Sequence, residues 1–576
     1  MCAMPKRAQS SLAFDLFSPV SSTSPSRPGR VRGTRSLVLF ALLAGLACAG
    51  GDGGSAPESG ADATGPAAAA ALSGKAGEAG KAEAAGKAEK EGDDARDAWV
   101  VPDAMGDIYA ANCAVCHGPA LEGSALGSAL NGPLVHGDSV DAVAASIAKG
   151  FGEKMPGWAA TIPASDIRGL AIYLLEKREG DRGDKGTGVG EPPVLPTGVQ
   201  KTRLHDFTIR LVRGGFSEPY SIAPLPDGRI LVTEKMRGLS IVAADGSSAT
   251  LVTGTPKVYA DSELRGTAYA GMGWMHEVAL HPDFAANGWI YLLYGDRCEG
   301  CNAASRKTGR PVVMLKLVRG RLSGSAWVDQ QTIWEGPKAS YQDGLENGAG
   351  ARIEFDDAGH VYFVVGQFVD YAGIQDLDQP YGKIMRVRDD GRIPADNPFL
   401  KVPGSLPAIY TLGHRVPQGL AFDRSTGRLW ATEHGPRGGD ELNLIRSGIN
   451  YGWPVLSEGV DYDGRPIHYA EELGLTVDPK TLERPKLHWT PSPGASSLVF
   501  YRGAAFPGWQ DQAIIATLSK NDLWRYVLDE NGEVEHETLI SGLGRFRDVE
   551  VGPQGEIVLL LEHRAGSQIL RLDPAR

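Results

Sequence analysis

From Lys201 onward helical periodicity nearly vanishes, and short β-rich apolar runs recur behind turn signals. Arg229 to Thr233 (RILVT) follows Pro226-Asp227-Gly228, and Trp289 to Leu293 (WIYLL) follows His281-Pro282-Asp283. His360 to Val364 (HVYFV) follows Asp356 to Gly359, and Arg428 to Ala431 follows Asp423 to Gly427. Ala513 to Ala516 (AIIA) follows Pro507-Gly508, and Glu556 to Leu560 (EIVLL) follows Pro553-Gln554-Gly555. Six such recurrences at irregular spacing predict six four-stranded blades closed into a β-propeller over residues 201–576. A sandwich or β-helix would space them more tightly and evenly. Propellers carry function on the loops of one face, so the long stretch from Asn450 to Val499 is a candidate wall of a site.

Upstream the pattern changes. Asp166 to Lys177 (DIRGLAIYLLEK) has helix-spaced apolar residues, and Gly106-Asp107-Ile108-Tyr109 opens another helix, so residues 99–179 read as a small all-α domain. Residues 180–200 form a polar linker to the propeller. Residues 48–98 are Gly, Ala, Lys and Glu with almost no apolar bulk, which cannot build a core and reads as a disordered tether.

Inside the helical domain lies Cys113-Ala114-Val115-Cys116-His117. Two thiols three apart can form thioethers to the vinyl groups of one haem, with His117 beneath the iron. With six Cys and twelve His in 576 residues, chance produces such a run about once in a thousand chains. A zinc half-site or a redox disulfide are the other readings of the spacing. For the sixth ligand, Met155 sits in Lys154-Met155-Pro156-Gly157-Trp158, a stretch that holds it on a loop. His136 is its competitor, and a surface methionine is the bland alternative. Helix, attachment motif, methionine loop and closing helix resemble a class I cytochrome c with one covalent haem c.

Arg30, Arg32 and Arg35 precede the apolar run Leu37 to Ala47, too short to span a bilayer and suited to a signal peptide over residues 1–47. The run ends Ala44-Gly45-Leu46-Ala47-Cys48, which resembles a lipoprotein cleavage site with Cys48 lipidated. Cleavage of an ordinary secretory signal nearby is the alternative. Either reading exports the chain to the periplasmic or cell-surface face, and the lipoprotein reading adds membrane contact through a lipid anchor alone. Cys298 and Cys301 lack a following histidine and a second Cys pair, so a local disulfide is the default in an oxidising compartment. A formal charge of −12 without a basic stripe argues against nucleic acid as a partner.

The large domain carries specific text. It includes RILVTEK at Arg229 to Lys235, HPDF at His281 to Phe284, IPADNPF at Ile393 to Phe399, and Gly413-His414-Arg415. It continues with PQGLAF at Pro417 to Phe422, ATEHGP at Ala431 to Pro436, GDELN at Gly439 to Asn443, and NYGWP at Asn450 to Pro454. Across about residues 205–574 this text resembles the PQQ-dependent soluble glucose dehydrogenase and aldose sugar dehydrogenase family. The resemblance implies PQQ on top of the propeller, with Ca²⁺ between cofactor and protein. It implies Gly435 and Pro436 as calcium ligands through backbone carbonyls, hard donors of the kind Ca²⁺ takes. Asp440 and Glu441 match acidic positions associated with further calcium, or are solvated loop carboxylates. Arg415, Arg545 and Arg547 match residues that contact the cofactor. Arg545 and Arg547 alternate on a strand, so both face one side and can grip PQQ carboxylates, unless they form a salt-bridged exposed strand.

The catalytic positions depart from the family. Its general base, a histidine four residues before an arginine, aligns with Gly348, and the base's aspartate partner aligns with Gln367. A glutamine becomes Met272, a cofactor-contacting asparagine becomes Val416, and the cofactor lysine aligns near Ser519, one place from Lys520. Glycine cannot take the proton that leaves a sugar hydroxyl. His276, in Trp274-Met275-His276-Glu277, is the candidate substitute, against a hydrogen-bonded core histidine. His414 and His434 lie in shared family text and read as structural. Two functions follow. One is an oxidoreductase that oxidises an aldose or related alcohol at PQQ/Ca²⁺ and sends electrons through haem to a downstream acceptor. The other is a haem electron-transfer or binding module whose propeller has lost dehydrogenase chemistry.

Overall fold

The computed structural model describes residues 103–178, 192–259, 263–265, 268–270, 273–309, 311–342, 350–367 and 371–575. Cys48, Met272, Gly348, the signal and the tether lie outside them.

Six sheets of up-and-down strands form the ring. Blade 1 runs Pro219–Pro224, Ile230–Glu234, Gly238–Val242 and Ala249–Leu251. Blade 2 runs Met275–Leu280, Ile290–Glu299, Pro311–Ser323 and Ala326–Glu335. Blade 3 runs Ile353–Phe355, His360–Val365, Lys383–Arg388 and Ile409–Leu412, and blade 4 runs Val416–Asp423, Arg428–His434, Asp440–Ile445 and Leu487–Trp489. Blade 5 is Ala495–Phe500, Ala513–Thr517, Leu523–Asp529 and Gly532–Ile540. Blade 6 takes Arg545–Val551, Ile557–Glu562 and Ser567–Pro574 from the C-terminus and borrows its fourth strand, Phe207–Phe216, from the start of the domain, with Val199–Gln200 as a short fifth strand at the edge. The antiparallel pairing of Phe207–Phe216 with Ser567–Pro574 closes the ring.

Each of the six recurrent runs falls on the second strand of a blade. Second strands pack between neighbouring blades on both faces, as the fully buried Ile230–Glu234 and Ala513–Thr517 show, so their apolar residues run on without alternating. Cores form between blades. Leu231 and Leu239 of blade 1 meet Val278 and Leu292 of blade 2, and Ile222 and Val232 of blade 1 meet Val558 and Leu560 of blade 6.

One buried cation ties the ring together. Arg352 Nη1 pairs with Glu277 of blade 2 at 3.0 Å and Asp548 of blade 6 at 2.8 Å. Its Nε donates to the Gln418 carbonyl of blade 4 at 2.5 Å, and Asp548 accepts from the backbone of Ile222 in blade 1 at 2.8 Å.

The helical domain contains α1 (Ala104–Asn112), α2 (Ala114–His117), α3 (Val140–Lys149) and α4 (Ala164–Arg178). The Asp103 side chain caps α1 by accepting from Gly106 N at 3.1 Å, and Ser139 caps α3 through Ala142 N at 3.2 Å. Buried Met105 and Tyr109 of α1 pack on Leu170 and Leu174 of α4, with the Tyr109 and Tyr173 rings 5.9 Å apart. Val460, from the stretch joining the third and fourth strands of blade 4, completes this core.

Candidate functional site

The haem-type motif lines a cavity. Cys113, Cys116 and His117 share a space of about 560 Å³ with Met155, Leu126, Phe151 and Trp158. Cys113 and Cys116 are unpaired. His117 Nδ1 lies 2.7 Å from the Ser128 carbonyl, a contact that makes Nδ1 the donor and leaves Nε2 as the basic nitrogen. Met155 is held in a tight hairpin by paired backbone bonds with Phe151, at 2.9 and 3.2 Å. His136 instead packs its ring edge against Phe151 at 4.5 Å and does not line the cavity. Two thiols, an oriented imidazole and a thioether facing one apolar space fit a covalent haem. Cys298 and Cys301 are joined as a disulfide at the end of blade 2's second strand.

The second site lies where first strands begin and second strands end, which is the same end of every up-and-down blade. Arg415 precedes the first strand of blade 4, and His434 ends its second. Arg545 opens the first strand of blade 6, and Glu562 ends its second. Lys235 follows the second strand of blade 1, and Gln367 follows that of blade 3. The three expected arginines converge on His434. Its half-buried imidazole is pushed down to about 3, by burial first and then by the charges of Arg547, Arg415 and Arg545. His434 Nε2 is buried without a hydrogen-bond partner.

Arg415 donates through Nη1 to the carbonyls of His434 and Gly435, at 3.2 and 3.1 Å, and through Nη2 to the Tyr462 hydroxyl at 2.8 Å. Arg545 and Arg547 do share a face, because both reach Glu562 Oε2, at 3.3 and 2.8 Å. Lys235 Nζ approaches the other Glu562 oxygen at 3.5 Å. The strand is neither exposed nor free of counter-charge.

The backbone N–H of Gln367 donates to the Arg415 carbonyl at 2.7 Å, so the aspartate position of the family does border the arginine site. Val416 pairs with His434 across blade 4. Ser519 and Lys520 donate backbone N–H groups to the Pro493 carbonyl at 2.9 Å, in the turn whose Gly494 contacts His434. His276 is 1 % exposed, with its ring 5.0 Å from that of Tyr220, whose own ring lies 5.8 Å from the Arg547 guanidinium.

Near the expected calcium ligands, a Cβ on Gly435 would stand 2.2 Å from the Gly438 carbonyl oxygen, so this turn requires glycine. The Asp440 carboxylate is committed to Ser492, Gly435 N and Ala495 N, and burial pushes it up to about 6. Glu441 accepts from Asn443 at 2.9 Å, and burial, then Glu433, raise its carboxyl well above the usual range. Among the described residues no group of three or more His, Cys, Asp or Glu side chains forms a metal site. Backbone carbonyls are what this turn offers a cation. The arginine trio and the orphaned imidazole nitrogen fit a polyanionic, hydrogen-bonding cofactor.

Sequence reasoning did not single out Glu562, Lys235 or Tyr462 as site residues, and read His434 as structural. His434 was within reach, since it stands one residue before the Gly435-Pro436 turn.

The glucose/sorbosone dehydrogenase family model matches residues 216–571, and a model of the cbb3-type cytochrome c oxidase subunit III matches residues 101–174. An aldose sugar dehydrogenase of Escherichia coli is 34 % identical over 376 residues, covering 64 % of this chain and 92 % of its own length. Quinoprotein glucose dehydrogenase B of Acinetobacter calcoaceticus is 24 % identical over 439 residues, covering 65 % of this chain and 89 % of its own. The crystal structure of the soluble E. coli aldose sugar dehydrogenase in its apo-form superposes with a TM-score of 0.55 at 31 % identity, covering 64 % of this chain and all of that one. The chain therefore belongs to the glucose/sorbosone dehydrogenase family, and carries a cytochrome c domain ahead of the family's six-bladed propeller.

Proposed function

We propose that this protein is a haem-bearing quinoprotein dehydrogenase that oxidises an aldose or related alcohol and delivers the electrons to an external one-electron carrier. The observation that carries the reading is the convergence of Arg415, Arg545 and Arg547 on His434, at the loop face of a propeller of this family. When bound, PQQ supplies hydride acceptance and haem supplies one-electron transfer. The arginines would hold the cofactor's carboxylates, and the carbonyls of Gly435, which now accepts from Arg415, and Pro436 would offer Ca²⁺ hard oxygen donors. Cys113 and Cys116 would anchor haem through thioethers, and His117 and Met155 would supply ligands to its iron. Export and anchoring through a lipidated Cys48 complete the reading, since neither a signal nor a haem attachment site suits the cytoplasm.

His434 is the proton acceptor this chain offers in place of Gly348. The unpartnered Nε2 borders the arginines, and burial first, then those charges, keeps the imidazole neutral. Neutralising the arginines with cofactor carboxylates raises its basicity, so cofactor binding arms the base. The test is PQQ titration with and without Ca²⁺, followed by glucose-driven haem reduction in wild type and His434→Gln. PQQ should bind both proteins, and the variant should lose about 10²-fold or more in rate, the usual worth of a general base. Equal rates would remove His434 from the mechanism. Failure of PQQ to bind the wild type would favour the haem-bearing binding module.

A further inference from the structure

The excursion between the third and fourth strands of blade 4 touches both candidate sites. It leaves Ile445, runs back beside blade 3 through a parallel bridge between Leu412 and Asn450, and emerges on the arginine face. There Tyr462 accepts from Arg415. Trp453 lies 5.3 Å from the Arg415 guanidinium, and Tyr371 meets Trp453 edge-on at 5.2 Å and Tyr469 at a tilt at 4.7 Å. Tyr469 donates to Asp461 at 2.6 Å, beside Tyr462.

The next residues of the same excursion are built into the cytochrome domain. Val460 is 3 % exposed within the cytochrome core. A Cβ on Gly169 of α4 would stand 2.0 Å from the Gly464 carbonyl oxygen, and a Cβ on Gly464 would stand 2.2 Å from Met105 Cγ of α1. Two glycines from two domains therefore set a contact that no side chain can enter. Polar bonds frame it. Arg168 donates to the Glu458 carbonyl at 3.2 Å, and Arg437 grips Glu176 through Nε and Nη2 at 2.9 and 2.8 Å. Arg437 Nη1 also donates to the Tyr462 carbonyl at 3.1 Å. Cys113 follows α1 directly, so one helix of nine residues, about 13 Å long, separates this contact from the haem anchor. The residues lining the haem cavity all come from the cytochrome domain, which leaves its mouth to an external carrier.

We propose that the blade 4 excursion is a fixed docking surface for the chain's own cytochrome, and that electrons pass from the arginine site to this haem within one molecule. The proposal rests on the quinoprotein reading for its electron source. Two electrons and two protons leave the sugar as its alcohol carbon becomes a carbonyl. Each electron then reduces one ferric haem to ferrous, the protons go to solvent, and an external one-electron carrier reoxidises the haem between the two transfers.

The experiment compares haem-loaded full-length protein with Gly169→Leu and Glu176→Arg, both within the cytochrome domain. Hydrogen exchange reads docking without turnover: residues 458–466 and 164–178 should be protected in wild type and lose protection together in both variants. With PQQ, Ca²⁺ and glucose, wild-type haem reduction should be first order and independent of protein concentration. It should slow roughly ten- to a hundredfold in the variants, the scale on which misplacing a reacting pair acts. Sugar-dependent reduction of a small soluble dye should not change. Unprotected 458–466 in wild type would overturn the docking surface. An unchanged haem reduction rate in a variant shown by exchange to be undocked would overturn the electron route. Absence of dye reduction by wild type would overturn the quinoprotein reading and the route with it, while exchange alone still decides the docking surface.

Discussion

Glu562 offers the sharpest probe of the arginine site, because one carboxylate serves three cations. Arg547 reaches Oε2 at 2.8 Å, Arg545 reaches it at 3.3 Å, and Lys235 approaches Oε1 at 3.5 Å. Burial opposes the charged form, yet Arg547, Lys235 and Arg545 outweigh it and hold the carboxyl well below its ordinary range. Glu562→Gln keeps shape and removes the charge. Breaking a buried pair costs about 3–5 kcal/mol, and side chains still 9–16 % exposed argue for the lower end, near 3 kcal/mol. That raises the unfolded population roughly a hundredfold. The folded pKa is depressed, so this stability is present above the unfolded carboxyl value and is lost as pH falls through the lower folded value. The loss on mutation should therefore be full at pH 7 and shrink in strong acid. PQQ should respond in the opposite sense. The variant leaves the cluster with one more net positive charge, and at an effective dielectric of ~20 an added unit charge several ångströms from a carboxylate contributes about 2 kcal/mol, near thirtyfold in affinity. Thermal unfolding followed during a PQQ titration reads both effects. The variant should melt lower without PQQ and gain more from it than wild type does. A smaller PQQ-induced gain in the variant would refute the reasoning, and would show that Glu562 aims the arginines instead of competing with the cofactor for them.

Met155→Ala should lower the haem potential substantially, because thioether ligation favours ferrous iron; an unchanged ligation spectrum would exclude Met155. Arg352→Met strands Glu277 and Asp548 at the ring centre and should cost about 3–5 kcal/mol in urea unfolding, against near neutrality if the hub is solvated. His434 takes up a proton on unfolding anywhere between its folded value of about 3 and the ordinary 6.5, so stability rises with pH across that window. His434→Gln should flatten this rise relative to wild type in denaturation curves taken from pH 3 to 7. Cys48→Ser should move the exported protein from the membrane fraction to the soluble fraction; retention in the membrane would refute the lipid anchor.

The recurrent β-rich runs made the ring legible because the second strands are buried on both faces. The outer strands escaped for the converse reason. Gly532–Ile540 carries Glu533, Glu535, His536 and Glu537 on an edge that faces water along much of its length, so its sequence resembles a loop. Site residues followed a similar division. Arg415, Gly435 and Pro436 came from the family resemblance, through short motifs that fall at the site end of blade 4. Glu562 and Lys235 were not singled out, because they end second strands that are contiguous apolar text, and only ring closure brings blade 6 against blade 1. His276 sits beside the same network: its neighbour Glu277 pairs with Arg352, and its imidazole packs on Tyr220, whose ring lies 5.5 Å from that guanidinium.

A propeller can vary what it does on its loop face without disturbing its cores, since inter-blade packing involves the strands and not the turns between them. Replacing a base at Gly348 and its partner at Gln367 therefore leaves the fold intact, and so does lengthening one connection. Blade 4 shows what the added length does. Its excursion must satisfy its own backbone groups and bury its apolar residues, and it does so by lending Val460 to the cytochrome core and Tyr462 to Arg415. Shortening it would uncover the cofactor arginine and the base of the haem domain together. Neither contact could then be repaired alone, so on the proposed route the departure of electrons from the propeller is coupled to the position of the haem domain.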